Sequence, residues 1–218
     1  MVGRDAELAE LRRLVAGASR GRPGLTFVTG DAGIGKTRLV EALVSEVDGR
    51  STLVLRGHWM VEATRDVPLA PFVEALGDLR RCLGDDELEL LVRPWAGPLS
   101  RLVPALAAGT GDATGEPSRA QMIAAVVEVL RRAAGSRPVL LVLEDGHWAD
   151  ESSRFLLDYL ARSLRDERLV VIVTMRSDDP GFERSGELLA NLATSRGEAA
   201  ALAHRAALDH GERGHLVR

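Results

Sequence analysis

The apolar positions of this chain change period several times along its length, and each change marks an element. Leu8, Leu11, Leu14 and Val15 recur at helical spacing, which predicts a helix capped by Asp5, running over 5–15 and stopped by Gly17. After the turn cluster Gly21-Arg22-Pro23-Gly24, the run Leu25-Thr26-Phe27-Val28-Thr29 reads as a short strand. A glycine-rich loop covers 30–35. Leu39, Val40, Leu43, Val44 and Val47 then give one apolar face to a helix over 36–47, and 52–56 reads as a second strand. A loop over 58–67 leads to a helix over 68–83 and two short helices near 85–92 and 98–107. The Gly- and Thr-rich stretch 109–117 is an excursion that ends at Ser118. There a helix begins that turns Met122, Ile123, Val126, Val127 and Leu130 inward.

Two later segments have no polar alternation. The runs 139–143 and 169–175 are almost unbroken Val, Leu and Ile. A strand buried on one face alternates, and one buried on both faces does not. Between them a helix over 151–164 places Phe155, Leu156, Tyr159 and Leu160 in one stripe. Buried strands alternating with amphipathic helices predict an α/β fold with a parallel sheet covered on both faces. Beyond Pro180 the pattern fades; 188–193 is predicted helical and 199–218 has no assignment. The expected division is therefore a core over 1–180 and a tail over 181–218.

The glycine loop supplies the strongest chemical signal. Gly30-Asp31-Ala32-Gly33-Ile34-Gly35-Lys36-Thr37 matches the phosphate-loop pattern G-x-x-x-x-G-K-[ST], with a strand before it and a helix after it. The glycines let successive backbone N–H groups turn toward phosphate oxygens, and the following helix adds its positive end. Lys36 offers a compact charge to the β- and γ-phosphates, and Thr37 a hydroxyl to Mg²⁺. Of the 28 basic residues Lys36 is the single lysine. A planar guanidinium would not fit that spot.

The strand over 139–143 ends in Glu144-Asp145, the acidic strand end of a Walker B element. By register Glu144 takes the metal position, and Asp145 is the candidate that polarises an attacking water. Arg176 ends the next strand. If that strand lies between the two motif strands, Arg176 reaches the γ-phosphate and can sense or stabilise its charge.

Composition narrows the function classes. A net charge of −4 and a pI near 5.8 argue against holding nucleic acid by bulk charge. Cys82 is the one cysteine, so a disulfide framework is excluded and it is expected as a core residue of its helix. No apolar run approaches the ~18 residues of a membrane span, and Met1-Val2-Gly3-Arg4-Asp5 carries charge where a signal peptide is apolar. The expected setting is cytoplasmic. Gly17-Ala18-Ser19-Arg20-Gly21 fits G-x-S-x-G, yet lies between helix and strand, the reverse of a nucleophile elbow. His204, His210 and His215 suit no metal spacing and are expected at the surface; Trp59 and Trp148 are expected to pack.

Three segments carry a family resemblance. Val2-Gly3-Arg4-Asp5-Ala6-Glu7-Leu8, Glu144-Asp145-Gly146-His147-Trp148-Ala149-Asp150 and Thr174-Met175-Arg176 resemble the opening, the Walker B signature and the sensor arginine of the STAND branch of AAA-like ATPases. The chain is most similar to the origin-recognition-like AAA ATPase domain of LuxR-type ATP-dependent transcriptional regulators. That resemblance implies a P-loop NTPase three-layer sandwich with strand order 5-1-4-3-2. It places Val2, Gly3 and Arg4 near the adenine, and it implies ATP and Mg²⁺ as cofactors with a protein partner or downstream regulatory domains. It further implies a switch that rests with ADP and is activated by ATP. The tail is then expected to be the start of a truncated lid. Two readings stand on these residues: a slow ATPase switch, or a nucleotide-holding interaction module or fragment without turnover.

Overall fold

The computed structural model describes residues 4–59, 68–103 and 117–179, together with the backbone of a strand at 203–208. Helix α1 (Asp5–Ala18) leads to strand β1 (Gly24–Gly30), helix α2 (Lys36–Glu46) and strand β2 (Leu53–His58). Helices α3 (Ala70–Leu83), α4 (Asp85–Val92) and α5 (Ala96–Leu99) follow, with a 3-10 turn at Arg93–Trp95 before α5. Helix α6 (Arg119–Ser136), strand β3 (Val139–Glu144), a 3-10 turn at Gly146–Trp148, helix α7 (Glu151–Ser163), strand β4 (Leu169–Arg176) and strand β5 (Ala203–Leu208) complete the order.

The five strands form one parallel sheet in the order β2-β3-β4-β1-β5, which from the other edge is 5-1-4-3-2. Its fifth strand comes from the tail that the hydrophobic pattern left unassigned. Both faces are covered. On β3, Val139, Leu141 and Leu143 meet the helices α3 to α7, while Leu140 and Val142 meet α1 and α2. The unbroken apolar runs arise from this double burial.

Edge strand β2 alternates instead: Leu53 and Leu55 are buried, Val54 and Arg56 half-buried. Helix α3 seals its free edge with carboxylates. Asp78 accepts from the Arg56 backbone N–H at 2.8 Å and Glu74 from that of His58 at 2.7 Å. An uncovered edge would offer those N–H groups to another chain.

Several local expectations are corrected. The N-cap of α1 is Arg4, whose carbonyl accepts from Leu8 N–H at 3.1 Å, so Asp5 lies in the first turn and caps nothing. Gly17 sits within α1, and the chain reverses at Gly21, where φ is +75°. On α7, Leu156 and Leu160 are buried, but Phe155 is 53% and Tyr159 43% exposed. Neighbours about 100° apart on a helix cannot all face the same layer. Cys82 is exposed because the buried face of α3 runs through Phe72, Ala75, Leu76 and Leu79. Trp59 is buried as expected, whereas Trp148 is exposed. Ser118 does cap α6, in a reciprocal box with Gln121. The expected helix at 98–107 is cut short, since α5 ends at Leu99 and 100–103 is not helical; its remainder at 104–107, the expected helix at 188–193, His210 and His215 lie outside the described residues, and of His204 only the backbone is described. Among the described residues no helix is long and apolar enough to cross a membrane.

Candidate functional site

Parallel pairing aligns the carboxyl ends of the strands. Gly30 at the end of β1 is in register with Arg176 at the end of β4, and His58 of β2 with Glu144 of β3. Because β4 lies between β1 and β3, the glycine loop, the acidic pair and Arg176 meet at one edge of the sheet. A cleft of about 350 Å³ opens there, lined by Ala32, Gly33, Gly35, Lys36, Thr37 and Arg38 on one side and by Asp145, Thr174 and Arg176 on the other. That volume lies in the range of small-ligand sites.

The loop closes by local geometry. Gly33 and Gly35 have φ of +73° and +98°, values that glycine adopts without steric cost. Gly35 is the N-cap of α2, so the first turn of that helix starts at Lys36 and aims its free N–H groups at the cleft. Lys36 is buried, and its Nζ donates to the carbonyls of Gly30 and Asp31, both at 2.9 Å. Burial lowers its pKa, while Asp145 and Asp178 work in the opposite sense. Ile34 closes the turn with an N–H to the Asp31 carbonyl at 3.3 Å and packs against the α1–α2 layer.

Thr37 Oγ1 donates to Glu144 Oε2 at 3.0 Å. The other oxygen of Glu144 lies 3.5 Å from His58 Nε2, and His58 Nδ1 lies 3.0 Å from Glu74 Oε2. Glu144 is thus held from both sides while remaining buried. Hydroxyl and carboxylate oxygens are the hard donors that Mg²⁺ selects, and Mg²⁺ needs few protein ligands because it keeps waters and phosphate oxygens. This pair fits that requirement. Among the described residues no cluster of three or more His, Cys, Asp or Glu side chains could hold a metal by itself.

Asp145 lines the cleft in a left-handed conformation, φ +61° and ψ +40°, and its N–H donates to Thr174 Oγ1 at 3.1 Å. Non-glycine residues hold such angles where the surroundings over-determine them. The next residue explains how. A Cβ on Gly146 would lie 2.6 Å from Val173 Cγ1, so the turn is pressed directly onto β4. His147, next in the turn, is buried with neither ring nitrogen hydrogen-bonded among the described residues, and burial lowers its pKa.

The structure therefore brings Lys36, Thr37, Asp145 and Arg176 to one cleft, with Glu144 directly behind Thr37. Gly30 and Asp31 hold Lys36 from below. Arg4 does not line the cleft; its guanidinium pairs with Glu7 at 3.1 Å, and Val2 and Gly3 lie outside the described residues. Sequence reading missed Arg38, Thr174, His58 and Glu74. Arg38 was within reach of it, since it directly follows the loop motif. His58 and Glu74 carry no local signal, because only the docking of α3 on β2 joins them.

Residues 1–173 match the family described as AAA ATPase domain. Among solved structures, the chain is similar to Cdc6p from Pyrobaculum aerophilum, with 17% identity and a TM-score of 0.50 over 94% of this chain and 45% of that one. It thus spans under half the length of that protein, and the likeness is one of fold. Weaker likenesses are the DnaC helicase loader (18% identity, TM-score 0.37, 96% of this chain and 92% of that one) and the Thermomonospora curvata EccC ATPases 2 and 3 (15%, 0.31, 78% and 29%). No curated protein matches the chain.

Proposed function

The chain belongs to the AAA ATPase domain family, and from that premise we propose that it binds Mg-ATP in the cleft at the ends of β1, β3 and β4, hydrolyses it slowly, and serves as the nucleotide switch of a bacterial transcriptional or signalling regulator. The observation that carries this reading is the convergence of Lys36, Thr37, Asp145 and Arg176 on one cleft from three separate strand ends. The switch role rests on the STAND-like segments at 2–8, 144–150 and 174–176, and a cytoplasmic setting goes with it.

Each side chain has a part that its position allows. The N–H groups of the loop and of the first turn of α2 receive phosphate oxygens. Lys36 is already close to the loop carbonyls, so it needs only a small swing to share its protons with the β- and γ-phosphates. Thr37 and Glu144 would hold Mg²⁺, which when bound neutralises charge on the two outer phosphates. Asp145, fixed by its turn and by Thr174, accepts a hydrogen bond from the attacking water and orients it. Arg176 faces the charge that develops on the transferred group.

Calorimetric titration of the chain with ATP and ADP, with and without Mg²⁺, tests the reading. Mg-dependent ATP binding is expected; absence of any nucleotide binding by the folded chain would remove the proposal. Asp145→Asn is expected to slow hydrolysis by about 10²-fold or more while changing ATP affinity far less, since a positioned acid–base group contributes on that scale. Equal losses in binding and rate would make Asp145 a binding residue instead. A second reading, nucleotide holding without turnover, draws on one feature: the guanidinium of Arg176 is occupied by a carboxylate of the chain itself.

A further inference from the structure

Strand β4 leaves the sheet beside the glycine loop, and its exit is stitched to that loop. Ser177 N–H donates to the Gly30 carbonyl at 3.2 Å, and Ser177 Oγ donates to Asp31 Oδ1 at 2.8 Å. These two bonds fix where Arg176 and Asp178 stand relative to the phosphate-binding backbone. Between them the two side chains close a fork. Arg176 Nε donates to Asp178 Oδ1 at 3.2 Å and Nη2 to Oδ2 at 2.9 Å.

A carboxylate engaged by two parallel N–H donors presents two anionic oxygens in one plane, the arrangement by which a guanidinium also grips a phosphate. Arg176 lines the cleft with Lys36. One bidentate edge that it would offer to a terminal phosphate, Nε with Nη2, is therefore already held by a group of matching charge and shape. The Arg176 guanidinium holds the Asp178 carboxyl below the usual carboxylate range, so the carboxylate is ionised at neutral pH. Asp178 also acts by its charge on Lys36.

We propose that Asp178 is a specificity-determining residue, an internal stand-in for the terminal phosphate that competes for Arg176 and so lowers the preference of the cleft for ATP over ADP. A triphosphate that takes the Nε–Nη2 edge of Arg176 displaces the carboxylate. A diphosphate does not reach that far and leaves the fork closed. The competition is mild because both side chains are partly exposed, at 36% for Arg176 and 41% for Asp178, where water screens the pair. A buried fork would instead lock the arginine away. The exchange is thus reversible, and it biases the empty and diphosphate-bound cleft toward the closed fork.

The inference rests on nucleotide binding at this cleft, and the experiment separates the two claims. ATP and ADP are titrated by calorimetry into the full chain, Asp178→Asn, Asp179→Asn, Arg176→Ala and the Arg176→Ala/Asp178→Asn double variant. Asp178→Asn is expected to tighten ATP about two- to fivefold, the scale of an exposed ion pair, with ADP unchanged. Asp179→Asn, which removes the same charge one residue later, is expected to give a smaller gain. In the Arg176→Ala background the Asp178 substitution should bring no gain, since the competition has no prize left. Equal tightening of ATP and ADP, an equal gain from Asp179→Asn, a gain that persists without Arg176, or no change at all would each overturn the inference. Binding of both nucleotides by the unaltered chain with an unmoved ratio in Asp178→Asn defeats only this inference. No binding by the unaltered chain defeats the nucleotide reading, and the inference with it.

Discussion

Lys36→Ala is expected to weaken ATP binding by about 10- to 150-fold. The range follows from charge-assisted hydrogen bonds to phosphate, each contributing about 1.5–3 kcal/mol, and from tenfold in affinity per 1.4 kcal/mol. No other lysine exists in the chain to take over, and arginine at this position would present a wide planar group to a narrow loop. The substitution also removes the donor that the Gly30 and Asp31 carbonyls share in the empty loop. Calorimetry should therefore be paired with a thermal melt of the variant. A folded variant with unchanged ATP affinity would remove the assignment of the glycine loop to phosphate binding. A melting temperature close to that of the unaltered chain shows that any loss belongs to the site.

Gly57→Ala is expected to cost more stability than any other single methyl group added to the described core. A Cβ there would lie 2.1 Å from the Pro71 carbonyl oxygen and 2.6 Å from its carbonyl carbon, backbone atoms that no rotamer change can clear. Helix α3 would have to lift from β2. That movement would strain the bonds from Glu74 and Asp78 to the strand edge. Overpacked sites cost about 1–3 kcal/mol even when side chains can yield, so about 3 kcal/mol is a lower expectation here. For a chain of this size that corresponds to a fall of roughly 6–12 °C in melting temperature. A midpoint within 2 °C of the unaltered chain, about the shift that 1 kcal/mol or less would produce, would show that α3 does not press on β2 as described. The same variant should loosen Glu144, because His58 is the next residue and its partner Glu74 rides on α3.

The chemistry of the loop at 30–37 was legible because it is local. Gly33 and Gly35 at positive φ, a lysine at the helix start and a hydroxyl beside it are requirements on neighbouring residues, and a spacing expresses them. The acidic end of β3 was legible for a related reason: an apolar run long enough to be a buried strand has only one place for two carboxylates, its end. Phe155, Tyr159 and Cys82 were misplaced because helical periodicity gives a stripe but not the angle at which a neighbouring layer meets it. His58 and Glu74 could not be read at all. Their contact depends on the approach of α3 to an edge strand, which Gly57 permits by having no side chain.

By itself the sequence determined the α/β class, most strand and helix positions, the phosphate-loop pattern and the acidic pair, since each follows from dihedral preference, period of burial or local spacing. Only the tertiary structure decided the rest. It set β4 between β1 and β3, an order that the family resemblance implied but no residue pattern encodes, so that Arg176 and Lys36 line one cleft, and it recruited Ala203–Leu208 as the fifth strand from a segment with little pattern of its own. It also closed Asp178 on Arg176 and joined Thr37, Glu144, His58 and Glu74 into one chain of contacts. Such pairings are choices among many chain crossings that bury similar apolar area. They are settled by the summed packing of both faces of the sheet, which no short stretch of residues encodes.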